Sequence, residues 1–391
     1  MTNEKRLRPS DLVNWNNKEL IEQYIQKFMG ILFINENGEV KSTETFKLHA
    51  YLRILSKNIN MKDISSLHTK EILIYRAGFN RIKKYKKQNI HTFRQALSAE
   101  VRRYLKRPIA EYWILFPLHI SYGQLDKIRS ISIFNQKLYI RSWNYVKKHF
   151  ELDKLLEDSK YHIRETNNSL ETHFTPILIK STGLDTDNVL EKADKAFELF
   201  RWLLNFLAQS GYMRISYGDY EKPLAKILPC PIYGFFLPDG QYDTYYYNTT
   251  KYTNYRKNTI NYELVVNAKI IFDKLITNGN NNNTVDLLIE AIEKYGNALD
   301  THSRMLTFLK LWQVLEILAL QTTKNINMKI VKSRIKILLN QDQLAKDLLD
   351  TLYETRNDLV HKGLFPDDEG SEQGSKEIGL LKMVVEKSVV V

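Results

Sequence analysis

From Val285 onward apolar residues recur at every third or fourth position, segment after segment, and this periodicity constrains the fold more than any other feature. Val285–Tyr295 carries Val285, Leu288, Ile289 and Ile292, and Arg304–Gln321 carries Phe308, Leu311, Trp312, Leu315 and Leu318. Met328–Leu339, Leu344–Lys362 and a last stretch near Ile378–Val391 follow with short connections. A helix with one apolar stripe is stable only when that stripe is buried, so the pattern predicts a bundle of four or five helices. The apolar ending Val389-Val390-Val391 predicts either docking of this end or a longer natural chain.

The preceding texture differs. Ser130–Trp143 holds two β-branched and aromatic runs around the polar pair Asn135-Gln136, a strand-pair pattern, and Phe174–Lys180 is another short strand candidate. Asp185–Leu207 reads as a helix with Asp185 or Asp187 as N-cap and a stripe of Leu190, Ala193, Phe197, Phe200, Leu204 and Leu207. Lys222–Gly240 contains several prolines and a Pro-Asp-Gly turn, which predicts short edge strands and loops. Tyr245, Tyr246 and Tyr247 suit an exposed β edge or a packing belt, or base stacking. Asn278–Thr284 reads as a loop between helices.

Upstream, residues 1–115 read as mostly helical, with elements at 18–30, 45–57 and 92–106. The fold class expected is α+β, predominantly α. A mostly helical basic region spans 1–116, a small α+β domain 117–256 and a helical bundle 257–391.

Composition narrows the function classes. With 391 residues, 43% hydrophobic and 26% charged, the chain is globular rather than disordered. The single cysteine, Cys230, excludes a disulfide framework and paired-cysteine zinc sites. It lies between two prolines without a base or metal partner nearby in sequence, so a structural role is expected. No run of 18 apolar residues occurs and the first residues have no apolar core, so a soluble cytoplasmic protein without membrane contact is expected. No P-loop, G-x-G-x-x-G, H-E-x-x-H or G-x-S-x-G pattern is present, and no cofactor or metal is expected.

The formal charge is +12, and its distribution is uneven. Residues 76–107 hold eleven basic side chains, among them Arg81, Lys83, Lys84, Lys86, Lys87, Arg102 and Arg103, against the single acid Glu100. This segment therefore carries +10 of the +12. Such an excess suits a polyanion, with Tyr85, Phe93 and Tyr104 interleaved; a solvated helix face with Phe93 and Tyr104 in the core explains it equally well.

The informative constellation is LYETRNDLVHKG at 352–363. Arg356 and Asn357 are followed by His361 late in an amphipathic helix, just before Gly363, a candidate helix C′ residue. Two elements earlier stands LKLWQVLEILAL at 309–320, with Glu316 in a mostly apolar helix. Five residues advance an ideal helix so that Arg356 and His361 diverge by about 140°. Asn357 and His361, four apart, share a face. Without further context, Arg356 could instead pair with Glu354, Asp350 or Asp358, and His361 could cap the helix C-terminus.

These two segments resemble the HEPN superfamily and, within it, the ApeA-like proteins of bacterial anti-phage defence. The resemblance covers about 284–391, is looser over 174–240, and does not reach the first 115 residues. It implies a metal-independent endoribonuclease in which two bundles associate and both Arg/His pairs line one cleft. The 2′-OH would attack the adjacent phosphorus, leaving a 2′,3′-cyclic phosphate. His361 would act as general base or acid, Arg356 would hold the phosphate, and Asn357 would orient the imidazole or contact phosphate. An imidazole ordinarily titrates near neutrality, which suits this work. Lys362 would add attraction for the RNA backbone, and Glu316 would orient Arg356 or His361.

The expected protein is thus a regulated anti-phage effector of the abortive-infection type. Its partners would be an RNA substrate such as tRNA, a second copy bound through the bundle, and a phage-derived activator. The alternative is a non-catalytic nucleic-acid-binding protein that uses 76–107 for binding and the bundle for dimerisation or docking. A toxin paired with a nucleotidyltransferase is a third reading, disfavoured by the length of 391 residues.

Overall fold

The computed structural model describes residues 12–37, 39–64, 66–84, 90–120, 128, 130–160, 162, 170, 174–208, 223–248, 262–278, 283–320, 328–340, 342–363 and 372–390. The fold is α+β and predominantly α, as expected. It divides into two units: residues 1–111 with 182–192, and residues 112–181 with 193–391.

The first unit contains β1 (Val13–Trp15), α1 (Lys18–Gly30), β2 (Leu32–Ile34), β3 (Val40–Ser42), α2 (Thr45–Asn58), β4 (Ile59–Met61), α3 (Leu67–Lys84) and α4 (Ile90–Leu105). The expected helices at 18–30, 45–57 and 92–106 all form. Asn17 caps α1, its side chain accepting the Leu20 N–H at 3.1 Å. Phe93, Leu97, Val101 and Tyr104 of α4 join Phe28, Leu55 and Ile74 in one buried cluster. The apolar reading of Phe93 and Tyr104 is therefore the observed one. Two antiparallel pairs, β1 with β4 and β2 with β3, were not foreseen, because three residues are too few for alternation to register.

The second unit is built on a six-stranded sheet. Its strands are β5 (Ala110–Leu118), β6 (Ile131–Ile133), β7 (Gln136–Ile140), β8 (Thr175–Gly183), β9 (Ile232–Phe236) and β10 (Tyr242–Tyr247), in the order β10-β9-β5-β8-β7-β6. The strand pair read around Asn135-Gln136 is β6–β7, antiparallel, and β8 pairs with β7. Two short helices, α5 (Trp143–His149) and α6 (Leu152–Asp158), follow β7, and α7 (Thr186–Ala208) follows β8. Asp185 is the cap residue, accepting the Asn188 N–H at 2.9 Å. On one sheet face Phe116 stacks on Phe197 of α7 at 4.5 Å and contacts Tyr233 at 4.6 Å.

One expectation is corrected. The Lys222–Gly240 stretch does not supply an edge strand: β9 is an inner strand with all five residues buried, and β10 is the edge. The prolines stand before β9 and after it, so no ladder donor is missing within it. The tyrosine run lies on that edge, one of the two placements the sequence allowed. Cys230 is buried, and burial pushes its thiol up to about 12, consistent with a structural residue.

The bundle comprises α8 (Tyr262–Asn278), α9 (Asn283–Leu299), α10 (Arg304–Leu320), α11 (Met328–Leu338), α12 (Gln343–Lys362) and α13 (Glu372–Val390). The helix α10 packs against α9, α11 and α13 and buries Phe308, Leu311, Trp312, Val314 and Leu315. It is apolar nearly all round because it has neighbours on several sides. Asn278, Asn283 and Thr284, read as loop, are helical, and 279–282 lie outside the described residues. The helix α12 starts at Asp342, whose side chain accepts the Ala345 N–H at 2.9 Å, and stops at Gly363 with φ +68°. Glycine enters that left-handed region without a Cβ penalty, so the stop just after His361 and Lys362 is written in the sequence.

Candidate active site

Arg356 and Glu316 are brought together. Packing in the bundle sets the α12 guanidinium 3.7 Å from the α10 carboxylate, with both side chains half-buried at 17% and 19% exposure. Burial raises the Glu316 carboxyl and the nearby Arg356 charge pulls it back. Arg356 also approaches its neighbour Asn357, Nη1 to Oδ1 at 3.5 Å. None of the same-helix acids takes Arg356 among the described residues. Asp350 is held by Lys332 at 2.8 Å and Lys336 at 2.6 Å, and Asp358 by Lys362 at 2.7 Å.

His361 is exposed one turn beyond Asn357, and Lys362 is exposed beside it. The divergence expected from helix geometry is visible: Arg356 meets α10, whereas His361 faces solvent. Among the described residues His361 has no side-chain partner. Two of the expected groups thus form a pair, while the imidazole stands apart, available to a ligand or to another chain.

The basic segment belongs to the first unit. Arg81, Lys83 and Lys84 fall at the end of α3, and Lys86 and Lys87 lie outside the described residues. Arg102 and Arg103 are exposed on α4. Arg103 pairs with Glu100 at 2.9 Å, and that buried carboxylate also accepts from Asn80 at 2.7 Å. Arg94 is committed inward, donating to the Val13 carbonyl at 2.9 Å and lying 5.3 Å from the Trp15 ring centre. Part of the +10 therefore does structural work, and among the described residues Arg76, Arg102, Lys106 and Arg107 are further exposed cations.

No protein-family model matches this chain, and no curated protein or solved structure matches it either.

The sequence reading missed a second polar centre. Arg201 on α7 is 2% exposed and bonds Glu198, Asp300 and the Ile227 carbonyl, the last at 3.1 Å. Trp202 Nε1 donates to the same Asp300 at 3.0 Å. A Cβ on Gly296 would overlap the Trp202 ring at 1.9 Å, so only glycine admits this approach of α9 to α7. The cluster borders a cavity of about 460 Å³ whose wall includes Asp194, Glu293, Asn297 and Lys310. Burial pushes Glu198 up to about 7 and Asp194 up to about 6, with Arg201 pulling both back. Glu198 and Asp194 therefore hold their protons to higher pH than ordinary carboxylates do. The spacing of Glu198 and Arg201, three apart on one helix, was legible; the contribution of Asp300, ninety-nine residues on, was not.

Among the described residues no helix is long and apolar enough to cross a membrane, and no group of three or more His, Cys, Asp or Glu is placed to hold a metal ion.

Proposed function

We propose that this protein is a metal-independent endoribonuclease of HEPN type that serves as a regulated anti-phage effector. The observation that carries the reading is the Arg356–Glu316 pair at 3.7 Å, formed between the two segments that resemble the superfamily. A surface arginine has no need of a half-buried partner on the next helix. A phosphate-binding arginine does, because a positioned fork is worth more to a transition state than a mobile one.

In the proposed reaction the 2′-oxygen attacks the adjacent phosphorus and the bond from phosphorus to the 5′-oxygen breaks. One imidazole takes the 2′-OH proton and another delivers a proton to the leaving 5′-oxygen. A single bundle supplies one His361, so the two proton transfers call for a second copy. The exposure of His361 suits a cleft completed by a partner. Ile337 and Leu344, 73% and 65% exposed, supply apolar surface on α11 and α12 for that contact. Arg356 neutralises the phosphate, Asn357 orients the imidazole from one turn away, and Lys362 draws in the backbone. The RNA target, tRNA among the candidates, and a phage-derived activator belong to the same proposal.

The chemistry is tested on RNA in EDTA by examining the product ends and by placing a single 2′-deoxy nucleotide at a cleaved position. The expected products carry 2′,3′-cyclic phosphate and 5′-hydroxyl ends, and the 2′-deoxy position resists cutting. Cleavage at the 2′-deoxy position, or cutting that EDTA abolishes, contradicts the mechanism.

A further inference from the structure

The sheet of the second unit has two unlike faces. One is packed by α7. Along β6 and β7 the two faces alternate cleanly: Ile131, Ile133, Leu138 and Ile140 are buried on one, while on the other Ser132 and Lys137 are exposed and Tyr139 is half-buried. The helices α5 and α6 cover part of this outer face, through Phe150 against Trp113 and Phe236 and through Leu155 against Gly234. They leave the β7 and β8 side open at Lys137, Tyr139 and Lys180.

What stands there is a set of aromatic rings interleaved with cations. Along β7 and one residue beyond it the order is Lys137, Tyr139, Arg141, at every second residue, and both cations lie against the Tyr139 ring. Lys137 Nζ lies 5.4 Å and the Arg141 guanidinium carbon 5.1 Å from the Tyr139 ring centre. Arg141 also lies 5.2 Å from the ring of Tyr145, which is 39% exposed at the start of α5. Trp113 on β5 meets Tyr139 at 5.5 Å with the ring planes at 62°, and Lys180 Nζ lies 5.8 Å from Trp113. Glu111 is the one acid at the alternating positions of these strands.

We propose that this outer sheet face is a docking platform for single-stranded RNA, with Tyr139, Trp113 and Tyr145 stacking bases and Lys137, Arg141 and Lys180 contacting phosphates. Exposed cation–π pairs add little to a fold, and gathering three cations on one face opposes that gain through repulsion. A single strand uses both features at once: every base has a π-face, and every link a negative charge. A protein surface would use the rings but would need several carboxylates to meet the cations. The choice of RNA rests on the ribonuclease reading; the stacking and charge arrangement does not.

The test uses the full chain carrying His361→Ala, so that RNA is not consumed, and a fluorescent oligouridine of about twenty nucleotides. Anisotropy is followed across a salt series for this protein, for an added Lys137→Glu/Lys180→Glu pair at exposed positions, and for an added Tyr139→Leu. Expected are a tenfold or greater loss for the charge pair and a log–log salt slope shallower by about 1.4, two single-strand phosphate contacts. Tyr139→Leu weakens binding severalfold at unchanged slope. Oligomers containing 4-thiouridine crosslink to the 136–141 segment. That crosslink keeps the proposal testable if Tyr139→Leu fails to fold. Unaltered affinity in the charge pair, crosslinks confined to 76–107 or to the bundle, or tighter binding of the matching DNA would overturn the platform. The nuclease reading fails separately: RNA bound at β7 with no cutting by the unsubstituted protein leaves the platform standing and removes the active site.

Discussion

Three carboxylates around Arg201 illustrate how much one residue can report. Asp194 has its carboxyl raised by burial to about 6, so the native state holds a proton that the unfolded chain releases nearer its ordinary value of 3.8. The sign follows: the stabilising contribution of the protonated form is complete below about pH 4 and is lost as pH rises through about 6. Unfolding temperatures measured from pH 4 to 8 should therefore fall with pH more steeply for the wild-type protein than for Asp194→Asn, which carries no charge at any pH. Parallel curves would mean that burial does not raise the Asp194 carboxyl in the folded protein. At the candidate site the informative substitution is Glu316→Gln, nearly equal in shape but without charge. It should lower RNA cleavage by a few-fold to about tenfold while shifting the unfolding temperature by only a few degrees. An unchanged rate would show that Glu316 does not position Arg356.

At the scale of elements, the sequence placed most helices within a few residues, because their stripes are long and periodic. The N-cap Asp185 and the stop at Gly363 were equally legible, since capping chemistry is local. The three-residue strands of the first unit were not legible, and β9 was misplaced at an edge because proline content was weighed without its position. The pairing of Arg356 with Glu316 was legible only in outline, through the choice of two segments. Its partner among several nearby acids depended on how α10 and α12 pack. Wholly illegible was the centre joining α9 to α13, where Lys382, 0% exposed, meets Glu386 at 2.5 Å and Tyr295 donates to the same carboxylate. Burial lowers the Lys382 ammonium and Glu386 opposes that shift. Glu386→Ala removes the ion-pair partner of a buried cation and should cost about 3–5 kcal/mol in denaturant unfolding. A loss below 1 kcal/mol would mean that water or another acid replaces it.

For the whole molecule, the charge arithmetic and the candidate chemistry fall in different units. The +10 of residues 76–107 belongs to the first unit, although Arg94 is turned inward and Arg103 is tied to Glu100. Arg356, His361 and Glu316 belong to the bundle of the second, as does the aromatic and cationic sheet face. On the proposed reading, RNA would be gathered over surfaces distinct from the residues proposed to cut it, which would suit an effector whose cutting must be restrained until a trigger arrives. The most direct measurement is cleavage of cellular RNA in EDTA, with and without extract from phage-infected cells, by the wild-type protein, Arg356→Ala and His361→Ala. The wild-type protein should cut, and each variant should lose at least a hundredfold in rate while keeping its unfolding temperature within a few degrees. Equal cutting by all three proteins, or no cutting by any under either condition, would contradict the assignment of Arg356 and His361 as a ribonuclease site.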